Sequence, residues 1–192
     1  DLREENPMDR SSDGERFTPA GVEVLPGTYE VRVALGGREA SAKLQVHGDP
    51  RVDIPMSERI EKQRAVREAL EVFRARAALL NGLASIRSGV GEVGTRIPEL
   101  AEAERNRVNG LLDSIRAEAS RIQEAAEEER EKIMGLYFMS LTRDGPTEAD
   151  RINLVRAQEM LDRVITRFNA LLGGEVRELR QSLRDADVGV LS

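Results

Sequence analysis

The pattern that most limits this chain changes character once, near residue 50. From Tyr29 to Val46 apolar and polar residues alternate; beyond Pro55 apolar residues recur every three to four positions. Alternation places successive side chains on opposite faces of a strand, whereas a period near 3.6 lines them along one face of a helix. The chain therefore reads as a small β element followed by helices, an α+β fold that is mostly α. The expected architecture is part of an antiparallel β-sandwich over residues 1–50 and an elongated antiparallel three-helix bundle over residues 51–192.

A two-residue primed turn at Gly36-Gly37 sets the register of the β element. It pairs Tyr29 with Leu44, Val31 with Ala42 and Val33 with Ala40 on one face. Glu30 then meets Lys43, and Arg32 meets Ser41, on the other. A slip of one residue would mix the two faces, so the alternation itself supports the turn. Residues 1–28 are rich in Asp, Arg, Ser, Gly and Pro, and only Val22, Val24 and Leu25 suggest a short strand before Pro26-Gly27. A lone hairpin is marginal in water. Its apolar face is expected to need cover from further strands or a helix.

In the helical region, Val66, Leu70, Phe73, Ala77, Leu80 and Ala84 form a first stripe, widened on one side by Val72, Leu79, Leu83 and Ile86. Gly89, Gly91 and Gly94 are expected to end that helix, and Pro98 to restart the chain in a new first turn. Val108, Leu111, Ile115, Ala119, Ile122, Ala126, Ile133 and Leu136 predict a second helix of roughly 40 residues, about 60 Å long at about 1.5 Å per residue. Asp144-Gly145-Pro146 reads as a turn. Thr147 and Asp150 read as a capping pair for a third helix, whose stripe is Leu161, Ile165, Phe168, Leu172, Val176, Leu179 and Leu183. Gly173-Gly174 should kink or split it.

Composition removes several function classes. Aromatics make up 3% of the chain and Trp is absent, so stacking surfaces for bases or sugars are disfavoured. Thirty-five acids against 29 bases are mixed along the chain and leave a net charge of -6, with no basic patch for nucleic acid or anionic lipid. No run approaches the roughly 20 apolar residues of a membrane span. Cysteine is absent, which rules out disulfides and thiolate sites.

Candidate chemical residues do not assemble into a set. His47 is the only histidine and has no second His or Cys to share a metal. Glu124, Glu127, Glu128, Glu129 and Glu131 point in different directions around a helix and read as a solvated face. Gly89, Gly91 and Gly94 lack the preceding strand and the Lys of a phosphate loop. Ser114 and Ser140 have no His to activate them. Asn109 and Asn169 fall near the stripes and read as register-setting buried amides. Glu118 and Glu129 are placed to pair with Arg residues of neighbouring helices, and Tyr137, Phe138 and Met139 read as a bundle cap. No catalytic, cofactor-binding or metal-binding residue is assigned.

Asp1-Leu2-Arg3, the run Leu25-Pro26-Gly27-Thr28-Tyr29-Glu30-Val31-Arg32-Val33, Gly36-Gly37, and Val46 leading into Asp49-Pro50-Arg51 stand in a recognisable order. They resemble the C-terminal tail of bacterial exported Asp-box proteins, the sortilin-like β-propellers often described as glycosyl hydrolases. The helical part with Asn169-Ala170-Leu171-Leu172 is similar too. In that family an immunoglobulin-like module follows the propeller and a helical tail follows the Asp-Pro-Arg. The resemblance implies an exported protein whose blades and any hydrolytic residues lie upstream, since no Ser-x-Asp-x-Gly-x-Thr-Trp box occurs here. The expected function is thus a non-catalytic structural and assembly module whose partner is an upstream propeller region or another protein chain. A free-standing helical adaptor or self-associating coiled coil, using Val72, Leu79 and Ile86 as surplus contacts, is the alternative. A glycoside hydrolase fragment is the third reading and would need two converging carboxylates.

Overall fold

The computed structural model describes residues 3, 21–97, 100–128, 133–136, 142 and 144–186. Its elements are β1 (Gly27–Leu35), β2 (Arg38–Val46), α1 (Met56–Arg96), α2 (Glu102–Glu128), α3 (Glu148–Leu171), a π-helical turn at Leu172–Val176, and α4 (Arg177–Asp185). Residues 133–136 are also helical. The expected α+β, mostly α architecture is what the chain adopts. Pro98, Glu129, Glu131, Tyr137, Phe138, Met139 and Ser140 lie outside the described residues.

β1 and β2 pair antiparallel from Gly27 opposite Val46 to Leu35 opposite Arg38, in the register expected from sequence. Gly36 and Gly37 have φ of 57° and 77°. A primed turn demands positive φ at both central positions, and two glycines supply it without the clash that a Cβ brings. Among the described residues the sheet has two strands, joined by no third. An isolated antiparallel bridge between Arg3 and Glu23 adds the only other β contact there.

α1 runs for 41 residues and passes straight through Gly89, Gly91 and Gly94, where a break was expected. Each interior glycine costs about 1 kcal/mol of helix propensity. Val90 and Val93, buried between those glycines, hold the backbone in place by packing into the main core. The stripe is also rotated from its expected position. Its centre is Ala65, Ala69, Val72, Arg76, Leu79, Leu83, Val90 and Val93, while Ala77 is only half-buried and Ala84 is exposed. These positions, with half-buried Ile86, alternate steps of four and three, the spacing of a coiled-coil seam.

α2 follows the same rule with Val108, Leu112, Ile115, Ala119, Ile122 and Ala126 buried, continued by Ile133 and Leu136. Leu112 replaces the expected Leu111, which is half-buried. α3 starts at Thr147, whose hydroxyl accepts from the Asp150 backbone N–H at 3.2 Å while the Asp150 carboxylate accepts from the Thr147 N–H at 2.8 Å. The expected capping pair is therefore formed.

The expected kink at Gly173-Gly174 is present as the π turn, with Gly174 at φ -98° and ψ -105°. Its function is legible in the spacing. Buried Leu154, Ala157, Leu161, Val164 and Leu171 keep steps of three and four or their sum, but the next buried residue is Val176, five further on. A π turn accommodates one extra residue. Val176, Leu179 and Leu183 consequently face the same core as the residues before the kink.

Side-chain contacts give the helix directions. Arg76 of α1 reaches the end of α2 at Ala126 and Glu127, while Gly94 lies beside Arg116, so α1 and α2 are antiparallel. Arg167 and Glu118, then Arg107 and Glu178, bind α2 antiparallel to α3 and α4. Arg151 meets Glu61 near one end of the α1–α3 contact, and Phe168 meets Gly82 further along both helices. The first and third helices therefore run parallel in an up-down-up bundle.

Candidate functional site

The hairpin presents a row of solvent-facing apolar side chains of defined geometry. Tyr29, Val31, Val33 and Leu44 remain 38%, 43%, 61% and 41% exposed, and no helix packs across the strands among the described residues. The opposite face is polar: Arg32 donates to Glu30 two residues earlier at 2.7 Å, and Thr28 donates across the ladder to Gln45 at 2.6 Å. The Tyr29 hydroxyl donates to the Leu25 carbonyl at 2.8 Å, fastening the start of β1 to the segment before it.

That segment ties the hairpin to the bundle. Val22 is buried against Val66 and Leu70 of α1 in a small core of its own. The Gln63 side chain donates to the Glu23 carbonyl at 3.1 Å. Between the hairpin base and the first turns of α1 lies an open cleft of about 540 Å³ whose walls include Glu23, His47, Asp49, Arg59 and Lys62.

The polar groups of this cleft are directed at the protein rather than at its centre. Arg3 donates to Gly21 and Glu23, each at 3.0 Å. Arg59 donates to the Ile54 and Val52 carbonyls, and Lys62 donates to the Thr142 carbonyl. Burial holds the Lys62 ammonium below its ordinary pKa, opposed by the charge of Glu23. Asp49 accepts from the Arg51 backbone and guanidinium at 3.0 and 2.8 Å. The cations thus staple loop carbonyls that no helix or strand satisfies.

The bundle holds one polar group that sequence reasoning missed. Arg76 is 5% exposed in the middle of the α1 seam, donating to the Ala126 carbonyl at 3.4 Å and to Glu127 at 3.2 Å. Its long stem covers apolar surface while the guanidinium reaches the α2 backbone. The available signal was spacing alone: a charged residue at a position where steps of four and three require an apolar one.

The other singled-out residues disperse. His47 is exposed on the cleft rim. Glu124, Glu127 and Glu128 are exposed, and Glu127 serves Arg76. Asn109 and Asn169 are exposed, contrary to the buried role expected of them, because the seams pass through Val108 and Leu171 beside them. Ser114 is exposed. Val72 and Leu79, the supposed surplus contacts of an adaptor, are spent in the core at 3% exposure each, and Ile86 packs against it.

Glu118 does pair with a neighbouring helix as expected. The Arg167 guanidinium, 2.7 Å away, holds its carboxyl below the usual range, against the opposing effect of burial and with further help from Arg121. Among the described residues no group of three His, Cys, Asp or Glu side chains is placed to hold a metal ion, and no helix is long and apolar enough to cross a membrane. Comparison with family models, curated proteins and solved structures finds no match to this chain.

Proposed function

We propose that this chain is a non-catalytic structural and assembly module. The hairpin contributes two strands to a larger β layer, and the bundle acts as a rigid rod beside it. The observation that carries this is the apolar face of Tyr29, Val31, Val33 and Leu44, left uncovered on a two-stranded sheet among the described residues, since such a ribbon gains stability only from further strands or a covering element. A second observation supports an immunoglobulin-like layer. A tyrosine hydroxyl bonded to a backbone carbonyl a few residues upstream, as Tyr29 is to Leu25, recurs at the corners of such sandwiches.

The residues that resemble the tail of exported Asp-box propeller proteins extend the proposal to a partner and a compartment. The partner is the strand-rich region that follows the propeller in that family, and the compartment is the periplasm or the exterior. The rod is well suited to spacing because its helices are long and share one continuous core.

Hydrogen exchange on the chain alone, and on the chain fused to the strand-rich region of an Asp-box propeller protein, tests the reading. The fused form should slow exchange at residues 27–46 and unfold as one unit with that region. Equal exchange in both forms would overturn it, as would hydrolysis of glycosides by the chain itself.

A further inference from the structure

We infer that the free edge of β1 pairs with β1 of a second copy of this chain, forming a continuous four-stranded antiparallel sheet about a two-fold axis at Val31. This deepens the assembly reading, on which it rests, by naming an occupant for the strand edge rather than for the apolar face.

The backbone fixes which groups are available. A two-residue turn makes Leu35 and Arg38 a hydrogen-bonded pair, so the odd-numbered residues of β1 bond toward β2. The N–H and C=O groups of Thr28, Glu30, Arg32 and Ala34 consequently point outward along an edge that no other strand occupies among the described residues. Such a row of unpaired groups is a template for another strand.

Charge then selects one register. With the two-fold at Val31, Glu30 faces Arg32 of the second copy and Arg32 faces its Glu30, while Thr28 faces Ala34. All four are outward-bonding residues, so the ladder can close. On the apolar face Val31 meets Val31 and Tyr29 meets Val33 on both sides of the axis. Centring on Glu30 would oppose two carboxylates, and centring on Arg32 would oppose two guanidiniums, each a destabilising arrangement. A shift by one residue would set the apolar face against the polar one. The Arg32 to Glu30 ion pair already present within each strand becomes part of an alternating ladder of four charges.

The outer edge of β2 is the weaker template. Its own charge-matched register, Glu39 against Lys43 about Ser41, brings only alanines, Ala40 and Ala42, together on the apolar face. It also carries Lys43, the residue type that protects sheet edges. Strand pairing without a covering layer buries little area, which places the association in the weak, transient class.

Sedimentation and light scattering of the full chain over a wide concentration range provide the test. The wild-type chain should dimerise reversibly. Glu30→Arg and Arg32→Glu should each weaken the dimer about tenfold or more, because each turns both attractive pairs into repulsive ones. Mixing those two variants should restore a heterodimer of wild-type strength, and Glu39→Lys, on the outer edge of β2 and opposite Ala34 within the hairpin, should change little. Both sites are exposed, and circular dichroism checks that the helices persist.

A dimer that ignores the Glu30 and Arg32 changes, that responds to Glu39→Lys instead, or that does not recover in the mixture overturns the proposal. A chain that stays monomeric throughout also overturns it, while the module reading stands or falls separately on exchange in the fused form.

Discussion

Of Gly82, Gly91 and Gly94 in α1, Gly82 should be the one at which alanine harms the protein. An ideal Cβ placed there falls 2.6 Å from Phe168 Cζ, 3.2 Å from Cε1 and 3.4 Å from Cε2. Ordinary contact begins near 3.4 Å, so the ring must retreat by about 1 Å from its seat between α1 and α3. Alanine brings about 1 kcal/mol of helix propensity at any interior position. Overpacking of this kind costs about 1–3 kcal/mol, and the half-buried ring has some freedom to move outward. The expected net effect is a loss of about 1 kcal/mol.

Gly91→Ala supplies the control. That site lies in the same helix, is exposed, and has nothing within 4 Å of an added Cβ, so the propensity gain of about 0.5–1 kcal/mol should appear undiminished. The gap between the two variants, about 1–3 kcal/mol, isolates the steric term. Urea titrations followed by helix ellipticity measure it, and thermal midpoints should differ by several degrees at about 2–4 °C per kcal/mol. Adding Phe168→Ala should abolish the penalty at position 82, leaving only the propensity gain in the double-mutant cycle. If Gly82→Ala stabilises as much as Gly91→Ala, the ring is not seated on the glycine and the parallel packing of α1 on α3 is wrong at that level.

Three further outcomes follow from the same bundle. Arg76→Leu should raise stability by about 1 kcal/mol in denaturant titrations, because an apolar side chain of similar size ends the desolvation cost of the buried guanidinium while the exposed Glu127 carboxylate returns to water, whereas Arg76→Ala should lower it through lost packing. Glu118→Gln should cost about 0.3–1 kcal/mol at neutral pH. Its folded pKa is depressed, so that stabilisation is present above the unfolded value and fades as pH falls through the folded one; variant and wild type should converge in acid melts, and a constant gap would count against the Arg167 pairing. Ser182→Ala should be neutral or stabilising by up to about 1 kcal/mol, since its buried hydroxyl finds no partner among the described residues, and a clear loss of thermal midpoint would contradict that.

How much of this is legible in the sequence depends on whether the pattern is local. The hairpin register, the turn and the Thr147 cap are decided within a few residues, and the structure reproduces each as those residues imply. The glycines at 89, 91 and 94 mislead because their local propensity is opposed by tertiary contacts of Val90 and Val93, which sequence alone does not weigh. Asn109 and Asn169 mislead for a related reason. A residue beside a seam position points about 100° away from it, and proximity in sequence says little about burial.

Arg76 shows how one charged residue displaces a whole stripe. With Arg at a seam position, the apolar pattern of α1 is best fitted one step round the helix, through Phe73, Ala77, Leu80 and Ala84, although Val72, Leu79 and Leu83 mark the true centre. Requiring a strict alternation of four and three steps from Ala65 to Val93 recovers the seam and isolates Arg76 as its single exception. The hairpin offers the converse lesson. Its pattern is legible because both faces are formed by pairing within one short ribbon, and the same completeness leaves its apolar face with nothing from the described part of the bundle to bury it. A face so regular, and so little covered, is one that further strands or a covering element would stabilise, and the proposal of an assembly role rests on it.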